Sequence, residues 1–75
     1  MTMEKLQAIR EVAATYGLSA NYLPQRRGYQ LAIMTPGNPY GECVFTSWAL
    51  PGRRWEYRGQ TGREIGAKVR AILES

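Results

Sequence analysis

The chain has no histidine, no aspartate and a single cysteine, and each absence narrows its chemistry. Histidine is the commonest proton carrier near neutral pH. Without it, a Cys43 nucleophile has only Glu, Lys or Tyr to act as its base. A lone cysteine closes no disulfide within the chain, and with no histidine or aspartate to join that thiol a zinc site has almost no ligands to draw on. Paired carboxylates able to hydrolyse a glycoside are not expected either, because the interior glutamates fall on different predicted elements. No run of about 18 apolar residues is present to span a membrane. The segment Met1-Thr2-Met3-Glu4-Lys5 lacks the continuous apolar stretch of a signal peptide. Together these features lead to the expectation of a non-enzymatic, cytoplasmic protein with no metal, no cofactor and no membrane partner.

What is present is enough for one small globular domain over residues 1–75. The apolar fraction is 44%, ordinary for a folded chain and too high for disorder. A domain of this size buries only about 60–65% of the surface its unfolded chain exposes, so its margin of stability is a few kcal/mol, ~5 at most.

The net charge of +4 is unevenly placed. Residues 1–50 carry Lys5, Arg10, Arg26 and Arg27 against Glu4, Glu11 and Glu42. Residues 51–73 carry Arg53, Arg54, Arg58, Arg63, Lys68 and Arg70 against Glu56 and Glu64. Eight of the ten cations are arginine, whose planar fork suits phosphates, carboxylates and aromatic faces better than lysine does.

Periodicity predicts a first helix from about Met3 to Tyr16, with Leu6, Ile9, Val12, Ala13 and Tyr16 on one stripe. Gly17 is a natural left-handed stop, and Leu18 can fold back over the last turn. Tyr22 and Leu23 suit a short strand that Pro24 confines to an edge. Gln25-Arg26-Arg27-Gly28 reads as a tight turn. Tyr29 to Met34 alternates and is the clearest strand, with Tyr29, Leu31 and Ile33 on one face.

Thr35 to Gly41 is a loop rich in Pro and Gly. Its prolines remove backbone donors that a phosphate cradle would need. Glu42 to Trp48 and Arg53 to Arg58 read as two further strands, joined by a turn at Leu50-Pro51-Gly52. Thr61 and Glu64 have the spacing of a capping box for a last helix, whose stripe is Ile65, Val69, Ile72 and Leu73. Gly66, in mid-helix, suits close approach to the sheet. The expected fold is α+β, in the order α-β-β-β-α. Its antiparallel sheet has three strands, or four if the Tyr22 segment joins, and two helices cover one face.

In element order and in its basic last helix the chain resembles the double-stranded RNA-binding domain. That family opens its second helix with a lysine-rich patch and carries a histidine in the loop before its second strand. Here the helix opens Thr61-Gly62-Arg63-Glu64 with the single Lys68, and the loop has no histidine. The family's RNA contacts are therefore not carried over.

Three uses of the surface follow. The first is a protein-binding inhibitor or adaptor, of the kind found among phage or mobile-element regulators. It would dock on a larger protein or nucleoprotein complex through the aromatics Tyr40, Trp48, Trp55 and Tyr57. The alternative is a nucleic-acid-binding domain whose arginine stripe (Arg26, Arg27, Arg53, Arg54, Arg58, Arg63 and Lys68) grips phosphates while Trp55 or Tyr57 stacks on bases. A further alternative is a structural homodimer formed through the sheet. The alternation in Arg53-Arg54-Trp55-Glu56-Tyr57-Arg58 favours burial of Trp55 and Tyr57 beneath the helices, with Arg54 and Arg58 outside.

Overall fold

A computed structural model describes residues 1–35, 43–49 and 53–75, apart from the side chains of residues 48, 49, 53 and 54. The expected Thr35–Gly41 loop (beyond Thr35 itself), Glu42 and the turn at 50–52 lie outside the described residues.

Helix α1 spans Met3–Thr15. The Thr2 hydroxyl caps its start by accepting from the Lys5 N–H at 3.1 Å. Its end is a Schellman motif. Gly17 takes φ 71°, the Leu18 N–H reaches the Ala13 carbonyl at 2.9 Å and the Gly17 N–H reaches Ala14 at 3.0 Å. A side chain at position 17 would be strained, so the stop is written into the residue type.

The chain then enters four strands: β1 (Ser19–Gln25), β2 (Gly28–Met34), β3 (Cys43–Ala49) and β4 (Arg53–Tyr57). They form one antiparallel sheet in the order β1-β2-β3-β4, so every strand pairs with its neighbour in sequence. The Tyr22 segment is thus a full edge strand starting at Ser19, and the element order is α-β-β-β-β-α rather than α-β-β-β-α. The added strand parts this fold from the pattern of the double-stranded RNA-binding domain. The pairing of β2 with β3 carries a bulge: Met34 pairs with Cys43, although Ile33 pairs with Phe45. Val44 is the extra residue.

Helix α2 spans Gly59–Leu73. It starts three residues earlier than a Thr61 cap would place it. Gly59 turns out of β4 at φ 68°, and Arg58 stands at the N-cap position with no capping side chain. Thr61 consequently falls inside the first turn, and the Thr61–Glu64 capping box does not form. The Glu64 carboxylate instead accepts from the Tyr16 hydroxyl at 3.4 Å.

Both helices lie on one face of the sheet, α1 against β1 and α2 against β3 and β4. The core is Leu6, Ile9 and Ala13 from α1, Ala20, Leu31, Ile33 and Phe45 from the sheet, and Ile65, Val69 and Leu73 from α2. Two glycines let α2 settle close. A Cβ on Gly62 would meet the Val44 carbonyl, and one on Gly66 would meet the Tyr57 and Phe45 rings. The cost of glycine in a helix, about 1 kcal/mol each, is offset by this contact.

Candidate interaction surfaces

Register fixes which residues share a face. Ala20, Leu31, Ile33, Phe45, Ser47, Trp55 and Tyr57 look towards the helices. Phe45 packs between the two aromatics of β4, with Trp55 stacked at 5.9 Å and Tyr57 tilted at 5.5 Å between ring centroids. Arg70 of α2 closes this group from above. Its guanidinium lies 4.8 Å from the centre of the Trp55 ring, donates to the Tyr57 hydroxyl at 3.1 Å and pairs with Glu74 at 3.5 Å. Its pKa is raised, first by the bond to Tyr57 and then by that hydroxyl's charge. Arg70 stood outside the expected binding set. It clamps α2 on β4, and the only hint in the sequence is its spacing of four from Glu74.

Trp55 is half-buried and Tyr57 is 41% exposed, both at the helix-covered side of the edge. Tyr40 lies outside the described residues, as does the Trp48 side chain. The backbone of Trp48 pairs with Gln30 and Arg54, on the opposite face.

None of the described elements packs on that opposite face. Across it run Asn21, Ala32, Thr46 and Glu56 in one row, and Leu23, Gln30, Trp48 and Arg54 in the next. Gln30, Ala32, Met34, Cys43 and Thr46 are half-buried, and Leu23 is 53% exposed. Within these two rows of described residues, charge falls on β4, at positions 54 and 56. Cys43, half-buried rather than a core residue, places its thiol 2.9 Å from the Thr46 hydroxyl.

The seven cations expected to form one stripe are divided by the topology. Arg26 and Arg27 make the two-residue turn between β1 and β2 and are exposed. Arg53 and Arg54 open β4 at the same end of the sheet, in rows that also hold Tyr29, Ala49, Gln30 and Trp48. Arg58 and Arg63 lie at the other end, where α2 begins, about 20 Å away along strands of this length. Lys68 is engaged with α1. Its ammonium donates to the Tyr16 hydroxyl at 3.0 Å and lies 5.1 Å from that ring's centre. The Tyr16 bond, then the charge on Tyr16, raise the Lys68 pKa; burial opposes them and Glu64 adds to the rise. Lys68 therefore links the two helices.

Among the described residues no cluster of three or more Cys, Asp and Glu side chains is placed to hold a metal ion. No described helix is long and apolar enough to cross a membrane. Comparison with protein-family models, with curated proteins and with solved structures finds no match to this chain.

Proposed function

We propose that the chain is a non-enzymatic binding module, an inhibitor or adaptor that docks on a larger protein through the open face of its sheet. The observation that supports this reading is the one-sided cover. Both helices pack on one face, while the other presents uncharged, half-buried side chains on its two central strands. Such a surface loses little solvation when a partner covers it, because no charge has to be stripped of water at its centre.

A photo-cross-linking amino acid at Ala32, the middle of that face, tests the reading in extract of the cells that make the protein. The expected result is a discrete, nuclease-resistant protein adduct from position 32 and none from Ala67, on the exposed side of α2. An adduct from position 67 alone would overturn it.

One observation favours a second reading, nucleic-acid binding. Folding gathers Arg26, Arg27, Arg53 and Arg54 at one end of the sheet, on two neighbouring hairpins. Four phosphate contacts there give a slope of log K against log salt of about −3.6 on duplex DNA. Arg26→Ala with Arg27→Ala is expected to flatten that slope by about 2, measured by fluorescence anisotropy. Unchanged slopes would remove these arginines from the contact.

A further inference from the structure

The two edges of the sheet differ in a way that selects a partner for one of them. In an antiparallel ladder, alternate residues bond to the neighbouring strand and the others point their backbone groups outward. The two-residue turn makes Gln25 and Gly28 a bonded pair, so Ala20, Tyr22 and Pro24 face outward from β1. Pro24 has no N–H to offer, which blunts that edge. On β4, the Arg58 N–H donates to the Val44 carbonyl at 2.8 Å, which makes Thr46–Glu56 and Trp48–Arg54 the bonded pairs. The backbone N–H and C=O groups of Arg53, Trp55 and Tyr57 then point outward, with no proline among them. Beyond β4 there is no further strand among the described residues.

We propose that β4 is a self-complementary edge, through which two copies of this chain pair antiparallel about a two-fold axis at Trp55. The sequence Arg53-Arg54-Trp55-Glu56-Tyr57 reads as opposite charges about its centre. In this register Trp55 meets Trp55 of the copy, Arg53 meets Tyr57, and Arg54 meets Glu56 twice over. The odd-numbered positions exchange about six backbone hydrogen bonds. The 54–56 pairs fall at the non-bonded positions, where facing side chains approach most closely, about 4.5 Å between Cα atoms.

Charge also excludes the neighbouring registers. Outward groups must meet outward groups, so the strands can shift only in steps that keep this parity. One such step puts Arg54 against its own copy. The opposite step puts Glu56 against Glu56 and Arg54 against Arg58. Of these three registers only the central one pairs unlike charges. Glu56 need give up no contact within its own chain, because a carboxylate accepts from several donors at once. The two-fold axis runs perpendicular to the sheet. Both helix layers therefore lie on one side, and the open faces join into one eight-stranded surface.

Sedimentation velocity over a range of concentrations tests this with charge reversals. The wild-type chain is expected to move from 8.5 kDa to twice that mass as its concentration rises. Arg54→Glu alone and Glu56→Arg alone should each weaken the dimer about tenfold or more, by setting like charges across the axis. Mixing the two single variants should restore association, because each supplies the charge the other lacks. The double swap Arg54→Glu with Glu56→Arg should also dimerise, which shows that the reversed chains fold. A wild-type chain that stays at 8.5 kDa at millimolar concentration overturns the proposal. So does a dimer indifferent to both single reversals, or failure of the mixed variants to associate.

Discussion

The two faces of this sheet share one backbone and differ in what lies on them. On the helix side, Ala20, Leu31, Ile33, Phe45 and Ser47 are all buried. On the other side no described residue is buried, although Ala32 and Thr46 stand directly between buried positions in sequence and Met34 directly follows one. Folding free energy is therefore concentrated on one face. The other is left to vary in sequence with little cost to stability.

Substitutions can break this contrast. The largest effect is expected from Phe45→Ala, which removes the ring between Trp55, Tyr57 and Gly66. A loss of about 3–5 kcal/mol equals most of the stability of a domain this small. The far-UV circular dichroism of that variant should already be largely unfolded at 25 °C. Gly62→Ala comes next, at about 1–3 kcal/mol, because its methyl group meets the backbone carbonyl of Val44 and the helix must lift. Urea unfolding should show a lower midpoint with an unchanged slope.

Ser47 sharpens the comparison from within the covered face. The residue is 1% exposed, and its hydroxyl has no hydrogen-bond partner among the described residues. Ser47→Ala should leave the chain as stable or raise its stability by about 1 kcal/mol. A clear loss in thermal denaturation would mean that this hydroxyl is satisfied in solution. The smallest effect is expected at Leu23, exposed on the open face. Leu23→Gln should move the unfolding midpoint by less than about 0.5 kcal/mol, yet weaken capture of a partner by the cross-linker at position 32.

Much of this fold was legible in the sequence because single residues dictated local geometry. Gly17 ended α1 where a left-handed turn was required, and the alternation of Tyr29 to Met34 placed Leu31 and Ile33 in the core. Pro24 marked an edge. What stayed hidden depended on distant pairing. Ser19 to Gln25 has too few β-branched residues to announce seven residues of strand, and it is held by its register with β2. The Thr61–Glu64 spacing gave a false helix start, because Gly59 let the chain turn sooner. Of the candidate surface, the sequence supplied the arginines but not their division between two ends of the sheet. That division follows from strand order, which no local pattern encodes. Arg70 and Lys68 look like solvated cations in sequence and become clamps only once α2 lies over β4 and beside α1.

The plain meander of the sheet also has a kinetic meaning. Each strand finds its partner across a short connection, so hairpins can close without a long chain search. The distant closures join α1 to α2, through Lys5 to the Leu73 carbonyl and Tyr16 to Lys68, across 68 and 52 positions of chain. Folding should therefore run from local hairpins to a final docking of the first helix, on the millisecond scale or faster, ~1 ms for mixed folds of low contact order. Helix α1 is the element whose amides should exchange with solvent first when the native state opens.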